Sequence, residues 1–297
     1  DKSDKIEAAN AVTRLIEKEK VIAIIGSSIS GNTMAGAPIA EKAGVPIVSP
    51  TATNPLVTQG KKYIFRVCFI DPFQGEMAAK YAYETLKKRK AALIIDKAQD
   101  YCVGLADFFE KSFTKLGGQI VAKTYCQTGV KDFTAQLSAI KAKNPDVLYM
   151  PNYYTEVALA MKQAKDLGLN LPVLSGDGAQ DKALIDIGKQ YVEGLMLTGH
   201  FEKEAASTPL AKKFIPPYEK KYGKVGTFDV MGADAYFVLA DAIERAKSTD
   251  GAKIRAALAS TKNFKGISGV INIGEDGNAI KSLVIVQVRG GDFRYVA

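Results

Sequence analysis

Histidine occurs once in the 297 residues, at His200, and cysteine three times, at Cys68, Cys102 and Cys126. One imidazole cannot build the His and Cys clusters that hold zinc. A Ser-His-Asp triad would need that imidazole beside a nucleophile and an acid, and no GxSxG elbow accompanies it. An odd number of cysteines without CxxC spacing excludes a disulfide framework. It leaves either one bridge, Cys102 to Cys126, or three ordinary buried thiols, the simpler reading. Cys102 has no evident base to activate it. No apolar run approaches the length that crosses a bilayer. No GK[ST] follows the glycines, so a nucleotide triphosphate loop is absent. These absences leave no catalytic constellation, no metal-ligand set and no cofactor motif. His200, between Gly199 and Phe201 at a strand end, is expected to be structural.

What is present is an ordinary globular composition, 47% hydrophobic and 24% charged, in a chain long enough for two lobes. The net charge is +8 and the isoelectric point about 9.1. Lysines are spread over many segments, and the densest run, Lys87 to Lys90, falls at a solvated corner between a helix and a strand. No aromatic-interleaved basic stripe accompanies it, so the charge does not point to nucleic acid.

The pattern along the chain alternates helix and strand. Helices are expected at Lys5 to Lys18, from just after the Ser27 to Gly31 loop to near Gly44, at 73–88, 104–116, 133–143, 155–167, 183–188, 209–222, 231–247 and 252–260. Short apolar runs at 21–26, 45–49, 63–70, 91–96, 120–126, 146–150, 173–175 and 194–199 read as buried strands. Asp71-Pro72 reads as a break after the third strand, and Pro216-Pro217 should kink or divide its helix. Residues 269–273 and 280–288 flank GEDGN as a hairpin, with 293–296 as an edge strand. The fold class is therefore α/β, with parallel sheets and helices on both faces.

Candidate binding residues cluster where strands end, because open α/β sheets take ligands at the carboxyl ends of their strands. The stretch Val21 to Thr58 is one βαβ unit whose loops carry Ser27, Ser28, Ser30, Thr51 and Thr53. Hydroxyls there meet the unpaired amides of a helix start, a corner that suits an anion. The bland alternative is that these residues only cap the helix and turn the chain. Tyr101, Tyr153 and Asp177 follow later strands, and Asp177 is bracketed by Gly176 and Gly178, which let backbone approach a ligand. Alone, Asp177 could be a turn residue. An acid paired with an anion corner is what a zwitterion requires.

The runs GSSISGNT, VPIVSPTATNP, VCFIDPFQG, Tyr153-Tyr154-Thr155-Glu156 and SGDG resemble the branched-chain amino-acid (Leu/Ile/Val) binding proteins of ABC importers, along the whole chain and in order. The resemblance implies a two-lobed type I periplasmic-binding-protein fold with a free amino acid clamped between the lobes. Lobe one would comprise residues 1–70 and 201–269, and lobe two residues 71–200 and 270–297. Carried over by position, Ser30 and Thr53 would hold the ligand carboxylate, Thr51 would offer its backbone to the ammonium, and Asp177 would be the ammonium's counter-ion. Tyr153 would accompany Asp177, and Tyr101 would line the side-chain pocket.

Two departures qualify the match. The family's acid is often Glu, one methylene longer than Asp177. The family also begins with a strand, a helix and a second strand that this chain lacks, so lobe one is expected to be incomplete. A complementing N-terminal fragment or a strand-swapped homo-oligomer would fill the slot. The function implied is extracytoplasmic capture of an aliphatic amino acid and its delivery to the membrane subunits of an ABC permease, at the periplasm or anchored outside the cell. The alternative is a ligand-sensing domain of a receptor or regulator on the same fold. An enzyme is disfavoured by the missing acid/base set.

Overall fold

The computed structural model describes all residues from Asp1 to Ala297. The chain forms two compact units, Asp1–Ile70 with Ala205–Ser282, and Asp71–Glu204 with Leu283–Ala297. The first unit begins with α1 (Lys5–Glu17), whose N-terminal amides at Ile6 and Glu7 are capped by the Asp4 carboxylate. It continues through β1 (Ile24–Ile25), α2 (Ser30–Ala43), β2 (Ile47–Ser49) and β3 (Ile64–Arg66). Gly44 ends α2 in the left-handed region, φ 65°, which a side chain would disfavour. The strands pair in parallel in the order β1-β2-β3, with Ile24 opposite Ile47 and Ile47 opposite Ile64. β1 is the edge, and no other strand of the chain pairs with it on the far side.

The second unit opens with α3 (Asp71–Lys80). Asp71-Pro72 was expected to be a break; instead it starts this helix, because proline is tolerated in the first turn, where its N–H would have no partner. A π-helical turn, Tyr81–Thr85, replaces the rest of the long helix expected to reach Lys88. Then follow β4 (Lys90–Asp96), α4 (Asp100–Lys115), β5 (Gln119–Cys126), α5 (Thr134–Lys141), β6 (Val147–Met150), α6 (Tyr154–Asp166), β7 (Val173–Ser175), α7 (Lys182–Gly188) and β8 (Met196–Gly199). β4 and β6 to β8 are almost wholly buried runs rather than alternating ones, as a sheet covered on both faces requires.

The chain returns to the first unit as α8 (Pro209–Tyr222), α9 (Thr227–Ala246), α10 (Gly251–Ala259), β9 (Phe264–Lys265), β10 (Val270–Ile273) and β11 (Ala279–Ile280). α8 is not divided at Pro216-Pro217. The carbonyls left without donors are those of Lys212 and Lys213, both exposed, so water can serve them. α9 and α10 pack Met231, Ala235, Val238, Ile254 and Leu258 against Val48, Phe65 and Val67. Ile24, Ala37, Ala40, Ile47 and Ile64 form a second cluster, flanked by Val12, Leu15 and Ile16 of α1.

β12 (Val284–Arg289) and β13 (Asp292–Tyr295) complete the second unit's seven-stranded sheet, ordered β13-β12-β8-β7-β6-β4-β5. β12 runs antiparallel to β8 and β13, and the other pairs are parallel. The hairpin across GEDGN thus closes on β11 and stays in the first unit. The chain leaves that unit after Ser282 rather than after Gly269. Ile285, Val286 and Val288 are buried in the larger sheet, a burial the short arm of the hairpin could not offer.

Candidate functional site

In the first unit, the loops after β1 and β2 are tied by hydroxyl groups. Ser49 Oγ donates to the Ser27 carbonyl at 2.6 Å and accepts from the Ala52 amide at 3.1 Å. Thr51 Oγ1 donates to the Ser28 carbonyl at 3.0 Å, and Ser30 Oγ accepts from the Asn54 amide at 3.2 Å. Ser27 Oγ reaches Asp1 at 2.7 Å. The Thr33 amide is the first of α2 to bond back, to the Ile29 carbonyl, so the amides of Ser30, Gly31 and Asn32 have no acceptor within the helix. Thr53 is fully buried and its Oγ1 has no hydrogen-bond partner, and Asn32 Nδ2 is likewise buried without one. Buried polar atoms are rarely left so, and these two remain available to a ligand's oxygens. Ser30, Thr51 and Thr53 are therefore brought together at one corner.

That corner rests on a residue the sequence reading passed over. Arg66, at the end of β3, is fully buried. Its Nη1 donates to the carbonyls of Ala52 at 2.6 Å and Asn54 at 2.8 Å, Nη2 to Thr58 Oγ1 at 3.0 Å, and Nε to Asn278 Oδ1 at 2.8 Å. The guanidinium fork fixes the loop from 52 to 58 from beneath. The signal was in the sequence: a lone charge inside the apolar run YIFRVCFI needs partners if buried.

In the second unit, Asp177 follows β7 and is buried. Its Oδ1 accepts from Gln74 Nε2 at 2.8 Å and from the Tyr101 hydroxyl at 2.9 Å, and its Oδ2 lies 2.9 Å from His200 Nε2. Gln74 also reaches Thr198 Oγ1 at 2.9 Å, and the Tyr101 hydroxyl accepts from the Gly178 amide at 3.1 Å. The rings of Tyr101 and Tyr153 stack with centroids 5.4 Å apart. A side chain at Gly178 would meet both rings at 3.0 Å, so the glycine is required by close approach. Burial, reinforced by the Asp177 carboxylate, pushes the Tyr101 phenol well above its ordinary range; burial does the same for Tyr153. Both are neutral donors at physiological pH.

Tyr101, Tyr153 and Asp177 thus form a second cluster, in the second unit. Tyr101 does more there than line a pocket, since its hydroxyl holds the acid. His200 is buried, as a structural histidine would be, but it is part of this cluster. Its place one residue beyond β8, next in the sheet to the strand that delivers Asp177, brings the two together. Gln74 comes from α3 and had no sequence signal of its own. The bridge between Cys102 and Cys126 does not form: all three cysteines are free and buried. Burial raises the Cys126 thiol to about 12 and Cys102 well above its ordinary value, which keeps both unreactive.

The relatives of this chain agree with the geometry. It is 32% identical over 257 residues to the Leu/Ile/Val-binding protein homolog 3 of Brucella melitensis, covering 86% of this chain and 69% of that protein. The crystal structure of the leucine binding protein LivK from Thermotoga maritima matches with a TM-score of 0.98 and 50% identity, over 99% of this chain and 84% of that one. The branched-chain amino acid transporter substrate binding protein LivJ from Streptococcus pneumoniae, solved with isoleucine, matches with a TM-score of 0.93 and 32% identity, over 99% and 85%. The family model described as periplasmic binding protein matches residues 1–292. With that match over nearly the whole chain, and with α/β units carrying ligand-ready loops at their strand ends, the chain belongs to the periplasmic binding protein family.

Proposed function

We propose that this chain captures a free aliphatic amino acid of the leucine, isoleucine and valine class outside the cytoplasm and delivers it to the membrane subunits of an ABC permease. The observation that carries the reading is Asp177, a buried carboxylate fixed by side chains from α3, α4 and the end of β8. Such an acid suits the ammonium end of a ligand, because a buried charge is stable only when paired and hydrogen-bonded. The hydroxyl corner of the first unit suits the carboxylate end. Ser30 and Thr53 are assigned to that carboxylate, with the α2 amides, and the Thr51 backbone to the ammonium. Tyr101 orients Asp177, and Tyr153 packs on Tyr101. The names of the relatives support the branched-chain class. None of the assigned roles is catalytic.

A ligand that binds only the folded state stabilises it by about 2.7 kcal/mol at a concentration one hundred times Kd. Thermal unfolding with leucine, isoleucine and valine should therefore show a raised midpoint, and the des-amino acid of leucine should not raise it. Asp177→Ala should remove the shift. Retention of the leucine shift by a folded Asp177→Ala variant would remove the ammonium assignment.

A further inference from the structure

In the first unit, α8 gathers charge of one sign on one side. Residues 209–224 hold five lysines against one glutamate, a net +4 in a chain whose whole net charge is +8. The helix packs through Ala211 and Ile215, which are buried, with Phe214 and Tyr218 half-buried on the same side. With about 3.6 residues per turn, the opposite side presents Lys212, Lys213, Pro216, Pro217, Lys220 and Lys221, and all six are exposed. None of these four lysines forms an ion pair. Glu219 lies on the packed flank, half-buried, and accepts from the Val225 amide at 3.5 Å. Asp229 of α9 is engaged by the Gly226 amide and the Tyr218 hydroxyl. Asp241 and Glu244 of α9 line a groove with Lys213 and Lys265, and Asp241 is paired with Arg245 at 2.7 Å. These acids leave the outward face of α8 cationic. Beside it the rings of Phe214, Tyr218 and Tyr222 follow one another, with centroids 5.3 and 5.0 Å apart, and Tyr222 is 64% exposed.

We propose that the outward face of α8 holds the protein to the surface of an anionic phospholipid bilayer, an interaction separate from the capture of any amino acid. Four ammonium groups around a proline pair offer no pocket and no fixed fork of donors. Protein–protein interfaces are depleted in lysine and enriched in arginine, whose planar guanidinium imposes one geometry. α8 has no arginine. Its lysines are compact, strongly hydrated charges on flexible stems, which suit a fluid array of phosphates better than a fixed pattern of carboxylates. A tyrosine ring, apolar along its body and polar at its tip, is at home among lipid headgroups, and Tyr222 stands at the edge of the lysine face. The apolar side of α8 is used within the unit's own packing, so attachment is electrostatic and reversible, without insertion of the helix. Each lysine brought to an anionic surface strengthens partitioning about fivefold, so four together add several hundredfold. The attraction fades within a Debye length, about 10 Å at 0.1 M salt.

Co-sedimentation with sucrose-loaded vesicles, without any amino acid, tests this. The wild type should sediment with phosphatidylcholine vesicles that contain about one-third phosphatidylglycerol, should stay in solution with pure phosphatidylcholine, and should be released by about 1 M salt, where the Debye length falls to about 3 Å. A variant combining Lys212→Gln, Lys213→Gln, Lys220→Gln and Lys221→Gln should lose at least a hundredfold in partitioning. A second variant, with Lys87→Gln, Lys88→Gln, Lys90→Gln and Lys115→Gln, removes the same charge from the second unit and should lose less than tenfold. Circular dichroism establishes that both are folded, and the wild-type comparison of the two lipids stands without them. Failure of the wild type to sediment with the anionic vesicles would overturn the proposal, and so would equal losses in the two variants, which would make the attraction a property of net charge. Tighter binding to soluble poly-glutamate than to vesicles of equal anion concentration would reassign the face to an acidic protein and overturn the lipid assignment. Leucine binding is not read in any arm, so the amino-acid reading stands or falls separately.

Discussion

Arg66→Met tests whether the loop that carries Thr51 and Thr53 is held from below. Methionine fills much of the same volume and removes every donor. Five acceptors lose the guanidinium: the carbonyls of Ala52, Asn54 and Pro55, Thr58 Oγ1 and Asn278 Oδ1. Thr58 and Asn278 keep their mutual hydrogen bond at 2.8 Å, so their loss is partial. Asn54 O still accepts from the Val57 amide, and Ala52 O keeps only the weak contact with Cys68 Sγ at 3.5 Å. An unsatisfied buried group costs ~1–3 kcal/mol. One nearly stripped carbonyl, Ala52, and four partial losses then imply a loss of about 3 kcal/mol, after allowing for the buried cation that no longer has to be desolvated. That is roughly a hundredfold in the unfolding equilibrium of the first unit. Tryptophan is absent, so urea unfolding is followed by far-ultraviolet circular dichroism rather than indole fluorescence. The leucine-induced rise in melting temperature should shrink in the same variant, because the loop assigned to the ligand's carboxylate loses its support. A loss below about 1 kcal/mol, within the range of a surface substitution, together with an unchanged leucine shift, would refute the idea that Arg66 positions this loop.

A side chain at Gly176 would fall on the Tyr101 hydroxyl and come within 2.9 Å of Gln74 Nε2, so Gly176→Ala should displace both neutral donors from Asp177. The expected outcome is a folded protein, weakened by about 1–3 kcal/mol, whose thermal midpoint no longer responds to leucine; an undiminished response would count against it. In the first unit, burial lowers the Lys281 ammonium to about 8 from the ordinary 10.5, against the attraction of Asp234. Because the folded value lies below the unfolded one, stability should rise with pH between about 8 and 10.5, by about 3 kcal/mol in full. Lys281→Met should lose that slope in urea titrations at pH 8, 9 and 10, while Asp234 keeps its bonds from the Ile267 and Ser268 amides; parallel slopes in the two proteins would disprove the assignment.

The alternation of helix and strand was legible because each apolar run is short and bounded by glycine, proline or a charged corner. β7 and α8 lie at 173–175 and 209–222, as read from the sequence. Three placements failed for identifiable reasons. Proline was read as a helix breaker at 71–72 and 216–217. A first-turn proline loses nothing, and an exposed pair leaves only solvated carbonyls. The run from 280 to 288 was read as one strand, although Ser282 divides it between a short hairpin arm and a central strand. Ser30, Thr51, Thr53, Tyr101, Tyr153 and Asp177 were legible because each follows a strand, where the topology collects side chains. Gln74, Arg66 and His200 were not, since their importance lies in what they touch across the fold. Gln74 meets Asp177 103 residues away in the chain, and Arg66 meets Asn278 212 residues away. Local patterns carry no record of such pairings.

The two clusters differ in where they place charge. In the first unit the cation is at the back: Arg66 lies beneath the loop, with carbonyls and side-chain oxygens around it, and the groups above it are neutral hydroxyls and amides. In the second unit the buried charge is the anion, and Gln74 and Tyr101 orient Asp177 without cancelling its charge. On the proposed amino-acid reading, Asp177 and the apolar residues around a ligand separate ligands on two scales. A des-amino analogue leaves buried polar groups without their partner, and sites that hydrogen-bond a ligand group reject analogues lacking it by about 10⁴–10⁵. One methylene more or less in an aliphatic side chain changes the free energy by only ~1–3 kcal/mol. On that reading, the charged end sets the class of ligand, and the apolar end ranks its members. Asp177 and its orienting residues should thus dominate any scan of ligand affinity, while substitutions among the apolar residues reorder leucine, isoleucine and valine without admitting a new class.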